Sequence, residues 1–295
     1  MTSTPGRVRR TPVPQMTDRL ELGATGLAVS PFCLGWVRDP AAVEVAFDAG
    51  INFFFVTADM HWPTYDASRR GLAQLLKRPG VRDRVVVAAV SYVTQPEFTY
   101  APFLEVLEEV SGLDRVDMIV VGGAYGPEFA VRHQIYRNNL AAGAFGARAI
   151  GATFHDRPAA IAPINAGALD IAFVRSSPAF PGARTDLFPR LAPSSTHVFN
   201  FNSAIGYTPP EQLARFGITE DHWRPAVTDY FRFALSSPAV DGLLCSLQVP
   251  RHIEELAQAL ALPPLDDDEQ QYLLDLARLC KGGYELVPQP PPHQS

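Results

Sequence analysis

Side chains that can move protons follow the apolar stretch "INFFFV" at residues 51–56. Asp59 and His61 come directly after it in the order "TADMH", and Tyr65 follows on the same segment. A histidine has an ordinary pKa of about 6.5, so it can donate or accept a proton at neutral pH. The stretch predicts general acid–base chemistry with His61 and Asp59 as candidate catalytic residues, and Asp59 has the alternative role of holding the loop.

A second histidine stands in the same position after another apolar stretch, "RAIGATFHD", where His155 precedes Asp156. One histidine could donate a proton while the other accepts one, which suits elimination, isomerisation or cyclisation. The alternative is that each histidine only hydrogen-bonds a loop carbonyl. The spacing of His61, His155 and the nearby carboxylates matches no ligand motif such as HExxH, so no metal site is predicted.

Arg175 closes the apolar stretch "LDIAFVR". A lone guanidinium is costly to bury, so it needs an anionic partner. A substrate carboxylate or phosphate would serve, and a salt bridge to Asp156 or Asp59 is the alternative. The other candidates for substrate binding also stand at the ends of apolar stretches, and they are Tyr92, Tyr125, Asn200 and Asn202.

Eight apolar stretches of strand length alternate with amphipathic stretches of helix length, which predicts a (β/α)₈ TIM barrel rather than an open sheet of five or six strands. The expected strands lie within residues 32–37, 51–58, 84–93, 116–124, 148–154, 169–175, 196–202 and 240–246. An N-terminal β-hairpin, "LELGATGLAVS", precedes the barrel, and an extra C-terminal helix, "DDDEQQYLLDLARLCKG", follows it. Because barrel enzymes work at the C-terminal ends of their strands, the candidate residues above should meet at one face.

The expected organisation is a disordered arm over residues 1–18, one barrel domain over 19–284 and a proline-rich disordered tail over 285–295. A formal net charge of −6 argues against nucleic acid as a partner. The lack of a long apolar run or secretory signal predicts a cytoplasmic protein with no membrane partner. Cys33, Cys245 and Cys280 form no CxxC pair and are expected to be buried thiols.

The order of four segments resembles the aldo-keto reductases over residues 20–280. These segments are "LGATGLAVSPFCLG" at the first strand, "AFDAGINFFFVTAD" at the second, "RAIGATFHDR" at the fifth and "YFRFALSSPAVDGLL" before the eighth. The resemblance implies the same barrel and a reaction in which hydride passes from NADPH to a carbonyl. In that family a tyrosine donates the proton, with help from an aspartate, a lysine and a histidine.

The sequence departs from that family at each catalytic position. The aspartate position is Val56, the tyrosine position is His61, the lysine position is Val90 or a neighbouring small residue, and the histidine position is Gly122. The positions that hold the nicotinamide are also altered, and they align with Thr153, Phe154, Phe173, and Asn200 or Phe201. The phosphate-binding stretch survives as "CSLQVPRHIEEL", where Arg251 is a weak candidate for cofactor binding.

These departures predict an aldo-keto reductase scaffold that does atypical, non-hydride acid–base chemistry and needs no cofactor. Its expected substrate is a small or peptide-like intermediate of secondary metabolism. Two alternatives stay open: an NADPH-dependent oxidoreductase in which His61 replaces the tyrosine, and a non-catalytic binding or regulatory protein. The sequence does not predict an oligomeric state.

Overall fold

The structure is a computed structural model that describes residues 13–59 and 61–281. A short antiparallel hairpin of β1 (Leu20–Glu21) and β2 (Ala28–Val29) precedes eight parallel strands that close into a barrel in chain order. The barrel strands are β3 (Phe32–Leu34), β4 (Phe53–Val56), β5 (Val86–Ser91), β6 (Met118–Val121), β7 (Ala149–Phe154), β8 (Ile171–Arg175), β9 (His197–Phe201) and β10 (Gly242–Cys245). Each lies inside one of the eight predicted stretches, so the predicted fold is confirmed.

Helices surround the barrel. They are α1 (Ala41–Asp48), α2 (Trp62–Leu75), α3 (Ala101–Glu109), α4 (Gly126–Ala141), α5 (Ile161–Asn165), α6 (Ala183–Asp186), α7 (Pro210–Leu213), α8 (Val227–Leu235), α9 (Pro250–Leu260) and the added α10 (Asp267–Cys280). The connection after β8 holds the four-residue α6 and a 3₁₀ turn at Phe188–Arg190. None of the helices described is both long enough and apolar enough to traverse a lipid bilayer.

Side chains alternate between the barrel interior and the layer under the helices, because successive residues of a strand point to opposite faces. Phe53, Phe55, Phe173 and Phe199 fill the interior, with ring centroids 5.4 to 6.4 Å apart in the contacting pairs. Small residues stand between these rings. A Cβ on Gly242 would lie 2.7 Å from the Phe199 ring, so the space for that ring depends on the glycine.

The hairpin closes the N-terminal end of the barrel. Leu20, Leu22, Leu27 and Val29 are buried in the same cluster as the interior phenylalanines. The predicted hairpin is confirmed. The opposite end, where the strands end, is open and is called the mouth below.

A ring of short acidic or amide side chains ties the strand starts together at the closed end. Asn52, Asp117, Asp170 and Asp241 each come just before a strand or at its first residue, in the pairs "IN", "VD", "LD" and "VD". Each accepts a hydrogen bond of 2.7 to 2.9 Å from a backbone N–H on the preceding strand segment, and the donors are Ser30, Val87, Ile150 and Val198. Each of these four side chains therefore has a hydrogen-bond partner on the preceding strand segment.

The expected arm and tail lie outside the described residues at positions 1–12 and 282–295. Residues 13–18 were expected to belong to the arm. They lie against the barrel instead, because Val13 and Met16 are buried in the outer core and the Gln15 side chain donates to the Leu260 carbonyl at 3.1 Å. Cys33 and Cys245 are buried thiols as expected, and Cys280 is half-buried.

Candidate active site at the barrel mouth

A cavity of about 590 Å³ opens at the mouth. Its floor and walls come from residues near the strand ends, namely Phe55, Thr153, Phe201 and Leu244, and its sides come from the loops and helices beyond them. Apolar side chains dominate, and a few imidazole, phenol, hydroxyl and amide groups interrupt them. A cavity of this size and lining at this end of a (β/α)₈ barrel is the expected place for a small-molecule site.

His61 and Tyr92 form one wall of the cavity, with ring centroids 4.5 Å apart. Asp59 stands behind them with 6% of its side chain exposed. One Asp59 oxygen accepts from the Tyr92 backbone N–H at 2.5 Å, and the other accepts from the His61 N–H at 3.5 Å. Asp59 is absent from the cavity lining and bonds the backbone of both loops, so it positions them.

Two phenols face the cavity. Burial raises the pKa of Tyr92 to about 12, the nearby Asp59 charge adds to this, and the Thr153 hydroxyl opposes it. Burial also raises the pKa of Tyr65 well above its ordinary value, with smaller contributions from Tyr92, Cys33 and Asp59. Both phenols are therefore protonated at neutral pH, and each can donate a hydrogen bond or a proton.

His155 reaches the cavity from the end of β7, and its ring meets Phe201 edge-on with centroids 5.2 Å apart. Partial burial lowers its pKa, and the positive charges of Arg175 and His61 lower it further. The imidazole is therefore neutral at pH 7 and can accept a proton. The cavity thus holds a neutral proton acceptor together with protonated phenols.

The strand ends show where the positions aligned with the reductase tetrad point. Val56 points outward into the core under the helices, and Phe55 is the β4 residue that faces the cavity, because successive residues of a strand point to opposite faces. Val90 does face inward, as the alignment implied. A Cβ on Gly122 would lie 2.7 Å from the Tyr92 ring, so that ring takes the space of a side chain there.

Arg175 ends β8 on the inward face and is half-buried. Its guanidinium carbon lies 4.7 Å from the centroid of Phe180, and its Nε is buried without a hydrogen-bond partner. Among residues 13–59 and 61–281 it has no carboxylate within ion-pair distance, so the expected alternative of a bridge to Asp156 or Asp59 is wrong. Arg175 stands beside His155 at the edge of the cavity and is not part of its lining.

The two candidate asparagines take different places. Asn202 lines the cavity in a left-handed backbone conformation, with φ of 58°. Asn200 is fully buried outside the lining, where its amide donates to the Ser176 carbonyl and to the Ser203 hydroxyl. Asn200 therefore joins the loops after β8 and β9 and does not reach a substrate.

Tyr125 and Arg251 also lie outside the cavity. Tyr125 precedes α4 and is 52% exposed. Arg251, 76% exposed, pairs with Glu255 at 3.0 Å on the surface of α9. One residue further on, His252 lines the cavity instead, because each helical residue turns the side chain by about 100°. Three residues of this stretch that the motif did not indicate also line the cavity, and they are His252, Gln248 and Ser246.

The fit to a nicotinamide dinucleotide is poor on the described residues. Phe201 is available to stack on a ring, and Thr153 already accepts from the Gly123 N–H at 2.7 Å. Phe173 is buried below the cavity. The part of the lining that the structure describes contains no lysine or arginine to hold a diphosphate. No group of three metal-ligating side chains is found within residues 13–59 and 61–281 either.

Solved structures share this fold. An aldo-keto reductase from Bacillus halodurans matches with a TM-score of 0.64 and 12% identity in its holo form, and 0.61 and 15% in its apo form. Both matches cover 89% of this chain and 97% of the other. A glycerol dehydrogenase from Gluconobacter oxydans matches with a TM-score of 0.65 and 12% identity, covering 93% and 97%.

At these identities the likeness shows the fold, and it confirms the fold that the resemblance implied. No family model matches the sequence. No curated protein matches it either.

Proposed function

We propose that this protein is an enzyme that carries out acid–base chemistry on a small carbonyl compound at the barrel mouth, without hydride transfer. The observation that supports it is the pairing of His155, whose pKa is lowered, with Tyr92, whose pKa is raised to about 12, around one largely apolar cavity. These shifts keep the imidazole neutral and the phenol protonated, so His155 can serve as the base and Tyr92 as the acid of one reaction.

The proposed step starts from a carbonyl compound with an acidic C–H bond. His155 takes the proton from the carbon next to the carbonyl, and the C–H electron pair forms the new C=C bond. The carbonyl π electrons move to oxygen, which takes a proton from the Tyr92 or Tyr65 phenol. The resulting enol can be reprotonated at carbon to give an isomer, or it can expel a leaving group. His61, whose ring lies tilted against Tyr92, restores the phenol proton.

The oxidoreductase alternative draws support from the fold of the neighbours and from Phe201, which could stack on a nicotinamide ring. It requires His61 to donate the proton that a tyrosine donates in the reductases. The two proposals differ in one requirement, because only hydride transfer needs a nicotinamide. Secondary metabolism, a peptide-like substrate and a cytoplasmic location stay predictions from the sequence.

Hydrogen–deuterium exchange tests the proposal without knowledge of the product. Small ketones are incubated with the full chain in D₂O, and NMR follows the loss of the C–H signal next to the carbonyl. We expect exchange without any cofactor, and a loss of about a hundredfold or more in His155→Gln and Tyr92→Phe. His222→Gln is the matched control, because His222 is exposed and bonds Thr219 away from the cavity.

Tyr92→Phe keeps the ring that packs on His61, so its effect reports the hydroxyl. Exchange that is unchanged in both variants would contradict the proposed roles. NADPH-dependent reduction of the same ketones, with no exchange in its absence, would establish the oxidoreductase alternative.

A further inference from the structure

Two positive charges meet at the ring of Phe180, on the loop after β8. The Arg175 guanidinium carbon lies 4.7 Å from the ring centroid, and the Lys281 ammonium lies 3.6 Å from it. A phenyl ring attracts a cation by its quadrupole but carries no net charge to cancel two of them. Neither cation has an ion-pair partner among the described residues, so this cluster holds uncompensated positive charge beside the mouth.

The position of Arg175 directs this charge toward the cavity. Phe154 on β7 pairs with Val174 on β8, so His155 and Arg175 follow on neighbouring strands in register. On its other side Arg175 pairs with Phe201 of β9. His155 and Phe201 both line the cavity, and the guanidinium therefore stands at the part of its edge between them.

The Arg175 Nε is buried and donates to no group in the described structure. An unsatisfied buried donor costs free energy, and the cost is larger when the donor is charged. The two Nη groups of Arg175 are not enclosed in this way and donate to no described group. The two Nη groups of an arginine are parallel N–H donors that match the two oxygens of a carboxylate. With Phe180 against the guanidinium, the Nη end is the site for such a pair.

We infer that Arg175, supported by Lys281, binds a carboxylate of the substrate, whose apolar body fills the cavity against residues such as Phe201, Phe231 and Leu247. This inference rests on the proposed function for the identity of the cavity as a substrate site. It assigns the substrate class as an apolar carboxylic acid that carries a carbonyl group.

A bound carboxylate would also act on the base. The charge of Arg175 is one of the causes that lower the pKa of His155, after burial. An anion on Arg175 cancels part of that charge, so His155 becomes a stronger proton acceptor when the substrate is bound. Binding and proton abstraction are then coupled through one guanidinium.

A matched ligand pair tests the site. Phenylacetate and phenylacetamide have nearly the same shape and differ in charge, and isothermal titration calorimetry on the full chain measures both. We expect phenylacetate to bind at least tenfold more tightly than phenylacetamide. The preference should disappear in Arg175→Gln, persist in part in Arg175→Lys and fall severalfold in Lys281→Gln.

Two surface variants are the controls. Arg251→Gln and Lys77→Gln remove the same charge from exposed residues outside the cavity, and both should keep the full preference. Thermal unfolding of each variant shows that it is folded. Equal loss of preference in the controls would show a nonspecific charge effect and overturn the inference, as would equal binding of both ligands, or of neither, by the wild type.

The same titration with inorganic phosphate separates the two anion classes. Phosphate binding that exceeds phenylacetate binding and depends on Arg175 would overturn the carboxylate assignment. Tyr92→Phe should keep the preference for phenylacetate, since its hydroxyl does not enter the anion site. A preference that survives while no exchange activity exists would contradict the proposed function and leave the anion site standing.

Discussion

The two ends of the barrel handle buried polar groups in opposite ways. At the closed end, Asp117 is 1% exposed and accepts from the Val87 N–H, from Arg82 and from Arg115. At the mouth, Arg175 Nε and the side-chain oxygen of Asn200 are buried without partners. Asn202 there holds a left-handed backbone conformation that only glycine adopts without cost.

The two ends therefore contribute differently. Satisfied polar pairs and close-packed rings at the closed end stabilise the barrel. At the mouth, one unsatisfied donor, one unsatisfied acceptor and a cavity reduce stability and leave groups free for a ligand. Variants at the two ends should therefore separate loss of stability from loss of function.

The largest expected effect is at the closed end. Asp117→Ala removes a buried carboxylate between two arginines, so we expect a loss of about 3 to 5 kcal/mol in the free energy of unfolding. Asp114→Ala is the control, because Asp114 also pairs with Arg82 but is 63% exposed, and it should cost below about 1 kcal/mol. Urea denaturation measures both. Equal losses of free energy in the two variants would contradict the expected difference between buried and exposed ion pairs.

A smaller effect on stability is expected at Gly122, where a substitution should change both the free energy of unfolding and the exchange activity. The methyl group of Gly122→Ala would press on the Tyr92 ring at 2.7 Å, and the ring must move. Overpacking of this kind costs about 1 to 3 kcal/mol, and displacement of the phenol should also abolish exchange activity. Gly126→Ala, with no atom within 4 Å of its added Cβ, should leave both unchanged. Full activity in Gly122→Ala would show that the place of Tyr92 is not critical.

At the mouth itself, Arg175→Gln should change the free energy of unfolding by less than about 1 kcal/mol, in either direction. The substitution removes a buried donor that has no partner and leaves the ion pairs of the described residues intact. Urea denaturation in buffer without carboxylates is the measurement. A loss as large as that of Asp117→Ala would mean that Arg175 is a structural residue.

The smallest effect concerns the titration of His155. NMR of the imidazole should give a midpoint below the ordinary 6.5, and Arg175→Gln should raise it, since one lowering charge is gone. Because the folded pKa is lowered, the unfolded chain binds more protons between that midpoint and pH 6.5. The contribution of His155 to the free energy of unfolding is therefore at its full value above about pH 6.5, and it is lost as the pH falls through that window. If Arg175→Gln leaves the midpoint unchanged, the charge of Arg175 does not affect the pKa of His155.

The barrel was predictable from the sequence because strand and helix periodicity repeats eight times and each repeat reports the same architecture. The site was predictable only in part. His61, His155, Tyr92 and Asn202 follow strand ends and line the cavity, as their positions indicated. Arg175 faces inward as expected, although its contact with Phe180 depends on a loop whose course the sequence pattern does not specify.

The sequence does not predict which residue faces the cavity where a shift of one residue changes the direction of a side chain. Val56 and Phe55 differ by one position on a strand and point to opposite faces. Arg251 and His252 differ by one position on a helix, and only His252 reaches the cavity. Asn200 and Asn202 are separated by two positions, but the chain leaves the strand between them. The alignment of motifs identifies the segments that form the site, whereas the local backbone geometry determines which residue of each segment faces the cavity.

A titration of the full chain with NADPH tests the central claim, that the mouth is an acid–base site without a nicotinamide. Tryptophan fluorescence and the nicotinamide emission are followed together. We expect no saturable change at micromolar concentrations, because the described lining has no lysine or arginine for the diphosphate. Arg175 and Lys281 stand outside that lining at one edge, where we propose that they bind a substrate carboxylate. Saturable binding with a Kd in the micromolar range or tighter would contradict the central claim and establish the oxidoreductase alternative.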